Sequence, residues 1–200
     1  MTIHASEMPL SLVKAKDALI GPETDAFLLG RMRDNDPDAG EKLVLRYHEP
    51  LIRYLYRLSG SMPTAEDLHQ QTWLSVMEHI EKFDVSTGGG GFKAWLFRIA
   101  TNKANDLWRS AKRQRSAYDG AMRIAPGEAP QAGQRIEGVE EAAKLRDAIA
   151  RLPEAQRQVL LLRYYSGLKF VEIAETLGCP LNTALGRMHK AMNKLKEMME

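Results

Sequence analysis

The segment Leu168–Met188 limits what this chain can fold into more than any other. Phe170, Ile173, Ala174 and Leu177 recur at the spacing of one helix face. Gly178 follows where the chain must reverse, and glycine enters the left-handed region without a Cβ clash. Pro180 and Leu181 lead into a second helix, with Asn182 or Thr183 near its start. Two short helices about a glycine turn read as a helix-turn-helix, whose second helix is built to enter a DNA major groove. In that second helix Ala184, Met188, Ala191, Met192 and Leu195 share one packing face. Thr183, Arg187, Lys190 and Lys194 fall on the opposite side, at steps of four, three and four. A solvated basic face on an ordinary core helix would show the same stripe; the glycine turn and the helix before it favour DNA contact.

A net charge of +2 over 200 residues excludes a polycationic binder, so any nucleic-acid contact must come from local clustering of charge. The single cysteine, Cys179, excludes an internal disulfide framework and a cysteine-based zinc site, and it fits a reducing compartment. In the turn it suits a small buried hydrophobe. No basic start precedes a long apolar run, and no stretch approaches membrane-spanning length. The expectation is a soluble cytoplasmic protein with no membrane insertion.

The helical periodicity extends along nearly the whole chain, and no alternating strand pattern stands out. Asp25–Met32 is a short helix with Phe27, Leu28, Leu29 and Met32 as its apolar stripe. A longer one follows Asp36-Pro37, carrying Leu43, Val44, Tyr47, Leu51, Tyr54, Leu55 and Leu58, and Pro50 should kink or divide it. Thr64-Ala65-Glu66-Asp67 has the capping hydroxyl and acids of a helix start. That helix runs toward Phe83 and buries Leu68, Trp73, Val76, Met77 and Ile80. Another helix spans Phe92 to about Arg113, and further helices occupy Glu140–Leu152 and the stretch after Pro153, through Val159–Tyr165. Between them Pro126, Gly127, Pro130 and Gly133 mark a flexible linker. The fold class is all-α, two small helical domains on a tether. An N-terminal extension of no assigned function covers 1–23, a helical domain 24–114, the linker 115–139 and the helix-turn-helix domain 140–200.

The helix from Phe92 carries a second surface. Phe92, Trp95, Leu96, Ile99 and Leu107 share its core face. Arg98, Asn102, Asn105, Arg109 and Lys112 form a polar stripe at steps of four, three, four and three, and Arg113 and Arg115 extend the charge. Cations interleaved with amides can hold phosphates and hydrogen-bond base edges. The alternative is a solvated helix end favoured by the C-terminal dipole. Trp95 reads as core; Trp108, off that face, would stack on a base or cover the domain edge. The run Asp84–Gly91 lacks the Gly-Lys-Ser/Thr ending of a P-loop and follows no strand, so it reads as a mobile connection beside the stripe, open to a role in holding an extruded base.

Ala65-Glu66-Asp67-Leu68-His69-Gln70-Gln71-Thr72-Trp73-Leu74, then Phe92–Asp106, then Leu152-Pro153-Glu154 leading to the helix-turn-helix, together resemble the extracytoplasmic-function group of bacterial RNA polymerase sigma factors, from about Asp25 to Lys196. The resemblance implies that domain 24–114 is region 2-like and domain 140–200 region 4-like. It implies that Asp67, Gln70, Gln71 and Leu74 dock on the clamp helices of core RNA polymerase, which also offers its flap as a contact. Arg98, Asn102, Asn105, Arg109, Lys112 and Arg113 would serve minus-ten single-strand binding, with Asn102 on the unpaired nontemplate strand and the Phe83–Gly91 loop helping to capture a flipped base. Asn182, Thr183, Leu185, Gly186, Arg187, His189 and Lys190 would read the minus-thirty-five promoter DNA. Many relatives are held by an anti-sigma factor, so such a partner is allowed for here.

Some residues depart from the family pattern. At Asn182, Ala184, Leu185 and Gly186 the family usually carries Gly, a β-branched residue, a basic residue and Ser. The Leu185-Gly186 pair removes a charge and a hydroxyl from the groove-facing edge, which points to weak duplex reading or to contact with thymine methyls. Two other classes of function fit the residues less well. A stand-alone helix-turn-helix transcriptional regulator with an N-terminal sensing or dimerisation domain would not need the Arg98–Lys112 stripe. An enzyme would have to start from His48-Glu49 or the carboxylates near His69, and no metal-spaced histidine pair, Gly-framed serine or cofactor loop accompanies them. Catalysis, a metal and a cofactor are therefore not expected.

Overall fold

The computed structural model describes residues 23–84, 91–118 and 137–200, the side chains of 112, 114–118 and 137–140 excepted. Its described residues form α-helices and single helical turns, with no strand among them. Helix α1 spans Asp25–Arg33, α2 Pro37–Ser59 and α3 Met62–His79, followed by a 3₁₀ turn Ile80–Lys82. Helix α4 is Gly91–Tyr118, α5 Glu137–Arg151 and α6 Glu154–Leu161, which passes into a π-helical turn Leu162–Ser166. Helices α7, Phe170–Thr176, and α8, Leu181–Met199, complete the chain.

Local chemistry sets these boundaries. The Thr24 hydroxyl accepts from the Phe27 N–H and Asp36 accepts from the Asp38 N–H, each satisfying an orphan donor of a first turn. Helix α3 begins earlier than Thr64: Ser61 is its cap, accepting from the Thr64 N–H at 3.5 Å, and the first turn holds no acid. Helix α7 closes in a Schellman motif. Gly178 sits at φ 59°, its N–H bonds the Glu175 carbonyl at 3.2 Å, and the Cys179 N–H bonds the Ala174 carbonyl at 2.9 Å.

Pro50 does not divide α2, which runs through it as one helix. A proline inside a helix costs about 3 kcal/mol. Here Leu43 and Tyr47 before it, and Leu51, Tyr54 and Leu55 after it, are all buried in one core, and that burial offsets the lost bond. Across the same core the Tyr54 hydroxyl meets the Thr101 hydroxyl at 2.8 Å, and Thr101 in turn donates to the Phe97 carbonyl, tying α2 to α4.

The two helical units are not held apart. Val159, Leu161, Leu162, Leu168 and Ile173 belong to the same buried cluster as Leu28, Leu43, Leu55, Leu96 and Phe97. A smaller core of Ala148, Leu152, Ala191 and Leu195 holds α5 against α8. The expected linker is also shorter than 115–139, because Arg115–Tyr118 continue α4 and 137–139 open α5; residues 119–136 lie outside the described residues.

Several side chains placed on apolar faces from spacing are exposed instead. Phe27 and Met77 are 53% exposed, Met192 50% and Leu107 43%. Each lies at the margin of its helix stripe, where a neighbouring helix, not periodicity, decides coverage. Phe97, Ala100 and Ala104 fill the α4 interface, and Leu107 does not extend it.

Candidate nucleic-acid interface

Helix α4 presents Arg98 and Asn102 exposed, with Asn105 half-buried and Arg109 and Arg113 exposed beyond them; the Lys112 side chain lies outside the described residues. Arg98 and Asn102 line a cleft of about 550 Å³, where Trp95, Ile99, Lys103 and Asp106 also stand. Ser75 and His79 of α3, then Lys82, Phe83 and Asp84, form the facing wall. Within that wall the Phe83 ring stacks on Trp95, centroids 4.5 Å apart and planes 22° from parallel. Trp95 is thus half-buried and shared between core and cleft, rather than core alone as its spacing suggests. Residues 85–90, most of the glycine run that the family resemblance assigns to base capture, lie outside the described residues.

The chemistry of the cleft is mixed in a useful way. Lys82, Arg98 and Lys103 supply positive charge, Asn102 supplies a donor and an acceptor, and the aromatic pair supplies a flat apolar surface. A planar, hydrogen-bonding, anionically linked group such as a nucleotide matches all three. Sequence spacing picks out Arg98 and Asn102 but misses Lys82 and Lys103. Lys103 adjoins Asn102 in the chain, and a search for cations flanking the stripe, not only on it, would find it.

The cleft's remaining wall comes from the other helical unit. Glu175 and Thr176 of α7 border it. Further along α4, Gln158 of α6 donates to the Asn105 side-chain carbonyl at 2.6 Å and to Glu154 at 3.2 Å. The Arg157 guanidinium lies 5.8 Å above the Trp108 ring, so Trp108 covers the domain edge. Arg109 pairs with Asp106 at 3.3 Å, both well exposed, an ion pair that solvent screens. The α4 stripe is therefore open to solvent at Arg98, Asn102 and Arg109 and covered at Asn105.

Two other faces stay open. On α3, Asp67, Gln70, Gln71 and Leu74 are all exposed at steps of three, one and three; Leu74 and the neighbouring Met77 are more than half exposed. Acid, amides and bare aliphatic surface on one helix suit docking to another protein. On α8, Asn182, Thr183, Leu185, His189 and Lys190 are exposed, while Gly186 and Arg187 are half-buried; Ala184, Ala191 and Leu195 pack inward. Cys179 is half-buried in the turn.

His48 and His69, the best enzymatic seeds, instead form an edge-to-face ring pair 4.8 Å apart between α2 and α3. The Trp73 indole N–H donates to His69 Nε2 at 3.2 Å, which requires that nitrogen unprotonated. Burial, then the nearby His48, lowers the His69 pKa to about 4. Neutral His69 thus stabilises the fold fully above its unfolded value near 6.5, and that contribution is lost as pH falls from there to about 4. Half-exposed as the ring is, the loss should be about 1.5 kcal/mol after solvent screening. Urea melts of the protein and of His69→Gln across this window would check it: the stability of the protein relative to the variant should fall by about that amount between about pH 6.5 and pH 4. Among the described residues no three His, Cys, Asp or Glu side chains gather as metal ligands, and no helix is long and apolar enough to cross a membrane.

Both helical units are similar to known proteins. Residues 43–114 match sigma-70 region 2 and residues 142–195 match sigma-70 region 4. The chain is 30% identical over 173 residues to the ECF RNA polymerase sigma factor RpoE of Cereibacter sphaeroides, covering 86% of this chain and 93% of that protein. It is 27% identical over 179 residues to the ECF RNA polymerase sigma factor SigW of Bacillus subtilis, covering 84% and 93%. Its fold is similar, with a TM-score of 0.65 at 25% identity, to the sigma factor RpoE of Bartonella quintana solved with the anti-sigma factor NepR, over 79% of this chain and 94% of that one.

Proposed function

The chain belongs to the extracytoplasmic-function group of sigma-70 factors, and on that premise we propose how three faces of one molecule divide the work of directing RNA polymerase to a promoter. Asp67, Gln70, Gln71 and Leu74 on α3 dock on the clamp helices of core polymerase, and the region 4-like domain meets its flap. Arg98, Asn102, Asn105, Arg109, Lys112 and Arg113 on α4 hold the melted nontemplate strand at the minus-ten element. Asn182, Thr183, Leu185, Gly186, Arg187, His189 and Lys190 on α8 read the minus-thirty-five duplex. The factor works in the cytoplasm and catalyses nothing itself; it supplies binding energy that polymerase converts into melting. The observation that carries this reading is the cleft beside α4, where cations, an amide and a stacked aromatic pair converge. Unstacking a base costs a few kcal/mol, and a preformed cleft of this chemistry returns it.

The closed arrangement adds an order of events. The α3 and α8 faces are open, whereas Gln158 and Glu175 sit against the α4 surface. Core polymerase can therefore engage α3 first, and α6–α7 must leave α4 before the strand enters. Once the domains part, two modest DNA-binding surfaces on one tether reinforce each other. The structural relative RpoE is solved in complex with the anti-sigma factor NepR, and an anti-sigma factor is the corresponding regulatory partner here.

Assembly with bacterial core polymerase, followed on a sizing column and by promoter-specific transcription, tests the whole reading. Comigration with specific initiation supports it; folded chain that never joins a cognate core would leave a stand-alone DNA-binding regulator. For α8, replacing Arg187 and Lys190 by alanine should flatten the salt dependence of duplex binding by about 0.9 in log–log slope for each phosphate no longer neutralised. An unchanged slope would remove both residues from the interface.

A further inference from the structure

Helix α1 lies outside the matched region 43–114, yet one of its side chains bonds the turn that borders the α4 cleft. Arg33, its last residue, donates from Nε to the Ile80 carbonyl at 3.1 Å and from Nη2 to the Phe83 carbonyl. These carbonyls bracket the 3₁₀ turn that ends α3, and the Phe83 N–H also bonds the Ile80 carbonyl at 3.2 Å. Carbonyls at a helix end carry partial negative charge, so a guanidinium there neutralises both and gives the Ile80 carbonyl a second donor. The clamp determines where Phe83 leaves the turn, and Phe83 is the residue whose ring stacks on Trp95 and borders the cleft.

We propose that Arg33 is a positioning residue for base selection: by clamping Ile80 and Phe83 it sets the Phe83–Trp95 stack that forms the apolar wall of the cleft. This rests on the α4 cleft being the strand-binding site. Without the clamp the turn is held by backbone bonds alone, the Phe83 ring gains freedom to leave Trp95, and the wall no longer discriminates between bases of different size. Lysine cannot replace the clamp fully, because its one ammonium has no planar fork to span two carbonyls.

The test uses holoenzyme assembled on core polymerase, selecting from a single-stranded library randomised across the minus-ten region. Wild-type protein should enrich one base at the captured position. Arg33→Met, which keeps the aliphatic stem, should lower that preference by about five- to tenfold, and Arg33→Lys should fall between, as expected for the loss of one or two hydrogen bonds. Core affinity and Tm are measured on the same variants, and Asn102→Ala is run beside them. Lost preference with core affinity and Tm held establishes the role. Retained preference in Arg33→Met, or a loss matched by falling core affinity and Tm, overturns it. If Asn102→Ala changes selection and Arg33→Met does not, the clamp alone is wrong. If neither changes it, the cleft is not the strand-binding site and both readings fall.

Discussion

Asn102→Ala should slow promoter opening by about ten- to a hundredfold while core polymerase binding stays unchanged, the scale expected when one or two hydrogen bonds are lost from a strand that must be held open. Asn102 is exposed on α4, borders the cleft with Arg98 and Lys103, and faces away from the core that Phe97, Ala100 and Ala104 build. Its removal therefore opens no cavity and strips only an amide. The α3 docking stripe is on a different helix and should be untouched. Permanganate reactivity of unpaired thymines reads the melting step, and sizing chromatography reads assembly. Normal melting with the variant would refute the role of Asn102; failed assembly would mean that the α3 and α4 surfaces are not separable.

The second large effect concerns closure. Gln158 is 6% exposed and donates to both Asn105 and Glu154. Gln158→Glu would place a carboxylate beside that of Glu154 in a site with little water. Even if the Asn105 amide turned to donate, an additional buried negative charge would remain. A cost of about 2–3 kcal/mol is expected, enough to raise the open fraction about thirty- to a hundred-and-sixtyfold if the closed state dominates. Free protein should then show a larger radius of gyration in solution scattering and tighter binding to single-stranded DNA, with helix content by circular dichroism unchanged. Unaltered dimensions and unaltered strand affinity would show that the Gln158 hydrogen bonds do not govern access to α4. A loss of helix content would show that Gln158 supports the fold of α6 itself.

Much of the helical layout is legible in the sequence because helix formation is read from local signals. Periodic apolar residues, Asp36-Pro37 and Gly178 are features of short stretches, and each marks an element the structure contains. Departures gather where a second helix or a neighbouring residue decides the outcome. Ser61, not Thr64, caps α3, since the first turn begins at Met62 and Pro63 suits it. Pro50 stays inside α2 because buried residues on both sides outweigh the bond it cannot make. Phe27, Met77, Leu107 and Met192 sit at stripe margins, and no spacing rule shows which margin a neighbour will cover.

The amino-acid sequence by itself determined the all-α class, the helix-turn-helix and the polar line Arg98–Arg109, because each depends on residues close together along the chain. Only the tertiary structure decided that Lys82, Phe83 and Trp95 share a cleft with Asn102, that Arg33 reaches the turn at Ile80–Phe83, and that Gln158 and Glu175 lie against α4. Arg33 and Phe83 are 50 residues apart, and Gln158 and Asn105 are 53. The physical reason is that pairings across such separations follow from how the shared core of Leu96, Phe97, Leu162 and Ile173 packs, and packing is a property of the assembled side chains rather than of any local pattern.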